Sequence, residues 1–173
     1  MKKIIFLLFS TLLFASEVYF MPYDGKTAEN RLFNIFTHAK KEIKITMYTF
    51  TNRKLARALK IASKKGVRIT VIADKKESLY KRSVIPNLAV IKNIRVFLLS
   101  GRKYKDGEKA KMHVKLALVD NRYVITGSAN YSYSAFYKNY EYIIIDTDRH
   151  LIDKFDTFFN RIKKLSTPYR ISR

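Results

Sequence analysis

The chain has 173 residues, enough for one domain with its own core and too few for two ordinary ones. It carries 35 Lys and Arg against 14 Asp and Glu, a net charge of +21, and no cysteine. The cysteine count excludes a disulfide framework. The charge points to an anionic partner, because so large a surplus repels itself unless something negative answers it. Nucleic acid and anionic lipid are the natural candidates, with bare solubility as the plainer account.

In chain order, MKKIIFLLFSTLLFASEVYF begins with Lys2 and Lys3, runs through an apolar block from Ile4 to Phe14 and reaches small residues at Ala15 and Ser16. That is the three-part pattern of a secretory signal peptide over residues 1–16, leaving one domain over 17–173. The apolar run is short of the roughly 20 residues that cross a bilayer, so no stable span is expected after cleavage. Loss of Lys2 and Lys3 leaves 21 − 2 = +19. The expected destination is the periplasm or cell envelope, without a lipid-attachment cysteine.

Residues 17–21 read as a short strand, and Thr27 or Glu29 as the opening of a helix with Leu32, Ile35, Phe36 and Ala39 on one face. Residues 42–50 alternate as a strand. Thr51 or Asn52 is placed to cap a second helix, striped by Leu55, Ala58, Leu59 and Ala62 and ended by Gly66. Residues 67–74 form a third strand, and the strand, helix, strand order predicts parallel pairing. Residues 75–92 read as a helix interrupted near Pro86. A strand over 94–99 precedes a polar, basic loop from 100 to 111.

The chemistry concentrates in HVKLALVDNRYVITGSANYS, residues 113–132. Residues 112–119 and 122–126 read as strands joined by the two-residue turn Asp120-Asn121. On the first strand His113, Lys115, Ala117 and Val119 share one face, and Val114, Leu116 and Leu118 the other. Apolar residues on both faces predict a central strand, with His113 and Lys115 at the end of a buried face. A buried lysine is costly unless an anion meets it. Two residues of strand span about 6.6 Å, so both side chains can reach one phosphate. Gly127 is expected to turn the chain, and Ser128, Ala129 and Asn130 to open a short helix through Lys138 whose first amides face an anion. Residues 140–146 read as a strand that sets Glu141 among apolar neighbours, where it wants a cation or an imidazolium such as His113. A last helix opens at His150.

His113-x-Lys115-x4-Asp120 followed by Gly127-Ser128-x-Asn130 resembles the active-site signature of the phospholipase D superfamily. The first half is short enough to recur by chance; the second, on a strand, turn, strand frame, makes the pattern specific. ITMYTFTNRKLARALKIASKKGVRITVIAD is also similar to the first strand, helix, strand unit of the family's small exported bacterial endonucleases, which carry one motif copy. The resemblance implies an α/β fold with a mixed, partly parallel sheet sandwiched by helices. It implies a two-step phosphodiester hydrolysis in which His113 attacks phosphorus and a second histidine protonates the leaving oxygen. Lys115 and Asn130 would hold the phosphate oxygens, Ser128 would support the phosphate or the histidine, and Glu141 would orient the histidine. Asp120 completes the catalytic motif, but its parity is opposite to that of His113, which favours a structural role. His38 and His150 have no motif around them and read as surface residues. The resemblance implies that the second histidine comes from a homodimer, since family members with one motif copy pair two subunits across a twofold axis, with the two copies of His113 facing each other. No metal or other cofactor is expected, since no acidic cluster has ligand spacing and lysines supply the positive charge.

Arg102, Lys103, Lys105, Lys109 and Lys111 lie just before the motif strand and are expected to follow a nucleic-acid backbone. Tyr104, Tyr131 and Tyr133 are candidates for base stacking. A groove between two subunits favours a single strand, DNA or RNA, because attack by His113 needs no 2′-hydroxyl. The alternative is a lipid hydrolase acting on anionic phospholipids. That enzyme wants apolar residues on its entrance loop, where residues 100–111 offer only Tyr104 and Ala110. A binding module that has lost the reaction fits least, because His113, Lys115, Ser128, Asn130 and Glu141 are all present.

Overall fold

The computed structural model describes residues 16–170; the signal-peptide reading over 1–16 lies, Ser16 apart, outside the described residues. Strands β1 (Glu17–Met21), β2 (Glu42–Met47), β3 (Arg68–Asp74), β4 (Ile94–Leu99), β5 (Leu116–Val119), β6 (Tyr123–Gly127), β7 (Glu141–Asp146) and β8 (Thr167–Pro168) form one sheet. Helices α1 (Gly25–His38), α2 (Arg53–Lys64), α3 (Ile85–Ala89), α4 (Tyr133–Tyr137) and α5 (Arg149–Leu165) cover it. The strand order is β1-β7-β6-β5-β2-β3-β4-β8. β2, β3 and β4 are parallel and the other pairings antiparallel, so the sheet is mixed as expected.

Two apolar layers hold the sheet. On one face Ile43, Ile45, Ala117, Val119 and Ile125 pack against Leu32 and Phe36 of α1, Leu55 and Leu59 of α2 and Phe136 of α4. On the other, Ile72, Leu116, Leu118 and Val124 meet Ile152 and Phe159 of α5, joined by Phe155 and Ile162 at helical spacing. β5 thus alternates between the two layers, as its apolar residues on both faces require. Each fully buried side chain of this kind contributes about 1.5–3 kcal/mol, which makes α5 a necessary cover and not an appendage.

Local chemistry explains where elements begin and end. Asn52 caps α2, accepting from Leu55 N at 2.9 Å, and Gly66, with φ +88°, ends the segment. α1 starts at Gly25, earlier than expected, and the carboxylate of Asp24 before it is taken by Phe20 N at 2.9 Å. Pro86 sits in the first turn of α3, where its missing N–H costs nothing, so it opens a helix instead of interrupting one. Asp120 (φ 53°) and Asn121 (φ 54°) make the left-handed turn between β5 and β6. β8, absent from the sequence reading, adds two residues to the edge of β4.

Candidate active site

Parallel strands release their chains at one end of a sheet, and that end is where α/β folds place their sites. β2 delivers Tyr48 and Thr49 there, and β3 delivers Asp74. β5 is antiparallel to β2, with Thr46 opposite Leu116, so the residues just before β5 arrive at the same end. His113 and Lys115 lie in this lead-in and not in a strand over 112–119: the ladders of β5 to β2 and to β6 both stop at Leu116. Two polar contacts fix the lead-in instead: Asp74 accepts from Met112 N at 2.9 Å, and Thr126 Oγ1 donates to Lys115 O at 3.0 Å.

His113 is exposed while Lys115 is only 7 % exposed. Lys115 Nζ stands 2.9 Å from His113 Nδ1, 3.1 Å from Nε2 and 3.0 Å from the His113 carbonyl oxygen. A donor nearly equidistant from both ring nitrogens lies over the ring and not along either lone pair, so both nitrogens keep their in-plane directions free. The Tyr48 ring covers His113 at 4.6 Å between centroids. Lys111 and Lys115 each place Nζ 5.6 Å from the centre of that tyrosine. Partial burial, then the charges of Lys115 and Lys111, hold the His113 pKa below its ordinary value, against opposing pulls from Asp74 and Glu141. The neutral form of the ring is therefore favoured. Burial likewise lowers the Lys115 pKa, with Glu141 working against it.

Gly127 sits beside Lys115 across the β5–β6 pair, where Leu116 opposes Thr126. Its φ is +156°, and a Cβ there would stand 2.2 Å from the Tyr142 carbonyl oxygen, so glycine is required. Ser128 exchanges two bonds with Tyr142, donating through N and accepting at Oγ, both at 3.1 Å. That leaves the hydroxyl proton free for a ligand. Asn130 Oδ1 accepts from Thr49 N at 3.2 Å, which joins its loop to the Tyr48 segment. Among the described residues Asn130 Nδ2 has no partner and remains a donor. The Glu141 carboxylate accepts from Asn139 at 3.4 Å and acts on His113 and Lys115 through space, without an ion pair to either within 4.0 Å.

Several expectations are corrected. Residues 128–130 are not a helix N-terminus: α4 begins only at Tyr133, capped by Ser132, so the anion would meet side chains here and not aligned amides. Asp120 completes the motif in sequence only and takes the structural role its parity favoured: it lies at the far end of β5, at least the strand's length of about 13 Å from His113. It accepts from the backbone N–H groups of Lys40 (2.6 Å), Lys41 (2.7 Å) and Glu42 (2.9 Å), tying the hairpin to the start of β2. Tyr131 is 2 % exposed and packs on Phe36 and Phe50, so it cannot stack on a base. Burial pushes its phenol pKa far up. Tyr104 and Tyr133 are exposed. The 100–111 segment is a small hairpin, with Lys103 opposite Lys109, that holds Arg102, Lys103, Lys105, Lys109 and Lys111 in solvent. Of these, Lys111 touches the site, through Tyr48. His38 lies beside Asp120 at the turn end, and His150 follows Arg149, whose guanidinium meets Asn121 of the same turn. Neither can serve His113 within one chain.

Sequence reading missed Tyr48, Thr49 and Asp74. Asp74 was open to discovery, since it closes a strand predicted to be parallel at the end where sites form. Tyr48 carries no such signal. Among the described residues no group of three His, Asp or Glu is placed to hold a metal.

This sheet, with an exposed imidazole, a buried ammonium and free Ser and Asn donors at one end, is that of a phospholipase D-like domain. Residues 32–163 match the family described as "Cardiolipin synthase, PLD-like domain", and the chain belongs to that family. NucT from Helicobacter pylori is 31 % identical, covers 90 % of this chain and 99 % of its own, and superposes with a TM-score of 0.87. Nuc from Salmonella typhimurium, a phospholipase D family member, shares the fold at 24 % identity and a TM-score of 0.76, over 91 % of this chain and 99 % of its own. Among curated proteins, the mitochondrial cardiolipin hydrolase of Danio rerio is 25 % identical over 85 % of this chain and 62 % of its own length. The human protein of that name is 29 % identical over 83 % and 54 %. The chain thus spans about three fifths or less of these curated relatives.

Proposed function

We propose that this protein is an exported, metal-independent nuclease that hydrolyses single-stranded nucleic acid through a phosphohistidine, in a homodimer. The observation that carries it is His113, exposed and kept neutral above the buried Lys115 cation. In the first step a neutral His113 nitrogen bonds to phosphorus, the ester P–O bond breaks, and the partner subunit's His113, which enters this step as the imidazolium, gives its proton to the leaving oxygen. Water then attacks phosphorus, returns a proton to that second imidazole and releases His113. Lys115 Nζ, Asn130 Nδ2 and the Ser128 hydroxyl stabilise the oxygens as charge develops. The strongly basic 102–111 hairpin, with one exposed large apolar residue, Tyr104, suits a polyanion better than a bilayer.

A second copy is argued from a bare apolar surface beside the site. Phe20, 59 % exposed, pairs with exposed Tyr142, and Val18 extends the patch along β1 beyond the reach of α5. Tyr142 is the residue that brackets Ser128. A dimer across this face would complete a site that has one histidine per chain.

The test is degradation of single-stranded DNA and RNA in excess EDTA by the wild-type protein and His113→Ala. Loss of turnover with an unchanged melting curve is expected; cleavage by His113→Ala, or light scattering at the monomer mass in active samples, would remove the mechanism. The lipid reading has one observation in its favour. Leu79, 74 % exposed, and Tyr80 project between Lys75, Lys76, Lys81 and Arg82, next to Glu77, which accepts from Thr49 Oγ1 at 2.8 Å. Headgroup release from cardiolipin without oligonucleotide cleavage is the outcome that selects it.

A further inference from the structure

A depression away from His113 carries the strongest charge asymmetry among the described grooves. It is a groove of about 780 Å³ between α2 and the segment leading into α3, and none of its 14 lining residues is acidic. Arg53, Arg57, Lys60 and Lys64 stand along one wall, at the i, i+4, i+7, i+11 positions that share a helix face. Lys81 and Arg82 face them. Among the described residues these six side chains make no ion pair and no hydrogen bond, whereas Lys44 and Lys54 elsewhere are paired with carboxylates. Like charges at this spacing repel and weaken the helix that carries them, so the row costs stability unless an anion answers it.

The groove runs toward the loop that carries Asn130. Arg53 and Arg82 also line a neighbouring depression with Thr51, Asn52, Lys54, Tyr133 and Glu29, whose carboxylate is already taken by Asn52, Lys54 and Tyr137. Thr51 N and Asn52 N donate to the Tyr131 carbonyl oxygen at 2.8 and 2.9 Å, one residue from Asn130. The row from Arg53 to Lys64 is about 16 Å long. At about 3.4 Å of rise per phosphate along a helical strand, it can face four or five consecutive phosphates. No aromatic residue lines the groove, so it grips backbone and not bases.

We propose that the α2–α3 groove is an exosite that holds the backbone of a nucleic-acid strand several nucleotides away from the bond cut at His113. This rests on the nuclease reading above and makes the preferred substrate a long strand, with the site taking its scissile phosphate and the groove its extension. The triple variant Arg57→Ala/Lys60→Ala/Lys64→Ala removes three exposed cations, and alanine keeps the helix. It is compared with the otherwise unaltered protein on oligothymidylates of about 5 and about 40 nucleotides, lengths below and above the reach of site plus groove. Cleavage is measured with active proteins; binding is measured by fluorescence anisotropy on a His113→Ala background, from 50 to 200 mM salt. The expected result is an unchanged kcat/KM on the short strand, at least tenfold weaker binding of the long one, and a log–log salt slope shallower by about 2, from roughly 0.7 per lost contact. Unchanged binding of the long strand, or equal losses on both lengths, would overturn the exosite. Groove-dependent binding without any cleavage would sustain the exosite and sink the nuclease reading. Groove-dependent capture of phosphatidylglycerol vesicles with no binding of the long strand would sink the exosite.

Discussion

Asp120 offers the sharpest test, because the motif places it with the catalytic residues and the tertiary structure removes it from them. In Asp120→Ala, three backbone donors lose a charged acceptor, at Lys40, Lys41 and Glu42. Bonds to charged groups contribute about 1.5–3 kcal/mol each when buried. Two of these three are exposed and water replaces the acceptor in part, which brings the sum to about 2–4 kcal/mol. Alanine held at a φ of 53° adds about 1 kcal/mol of backbone strain. The total, about 3–5 kcal/mol, corresponds to a fall in melting temperature of about 6–20 °C for a domain of this size. Urea denaturation read by circular dichroism gives the stability change, and kcat is measured well below the new transition. Near-normal kcat with that loss of stability is expected; Asp120→Asn, which tolerates the left-handed turn and keeps one acceptor oxygen, should lose less. Wild-type stability with a hundredfold lower kcat would refute the structural assignment.

Lys115→Met should lower kcat by about 10²–10³, the effect of deleting one preorganised oxyanion donor, while leaving stability unchanged or higher, because a buried charge is replaced by an apolar side chain of similar length. A rate within threefold of wild type would exclude Lys115 from charge stabilisation. The His113 pKa is depressed, so the neutral ring is favoured and the acid limb of kcat/KM lies below about 6.5. Between the folded value and about 6.5 the unfolded chain binds more protons, so the associated stability is present above that window and lost as pH falls through it. Lys111→Gln removes one of the depressing charges and should move the acid limb upward; a limb that stays or falls contradicts the electrostatic account. Gly127→Ala forces a methyl to 2.2 Å from the Tyr142 carbonyl oxygen and should cost about 2–4 kcal/mol in urea denaturation, with wild-type stability arguing against so close a β6–β7 approach.

Much of this was open to reading along the chain. Helical stripes at Leu55, Ala58, Leu59 and Ala62, alternation through β2, and the Asp120-Asn121 turn are set by near neighbours, so periodicity and turn chemistry report them. The His113, Lys115, Ser128 and Asn130 set is likewise a matter of fixed spacing, flanking the two adjoining strands β5 and β6. Composition alone pointed toward an anionic partner without naming one.

What local sequence could not fix is where each strand runs out of partners. β5 is four residues long because its ladders to β2 and β6 both stop at Leu116, and that termination turns His113 from a strand residue into part of a pinned lead-in under Tyr48. The same long-range pairing sends Asp120 to the opposite end and buries Tyr131 against Phe36 and Phe50. It also brings Asp74 against Met112, 38 positions away in the chain. Residue types and their spacing determined which groups were candidates for a site; only the closing of the sheet, a sum of contacts between distant segments, decided which of them stand together.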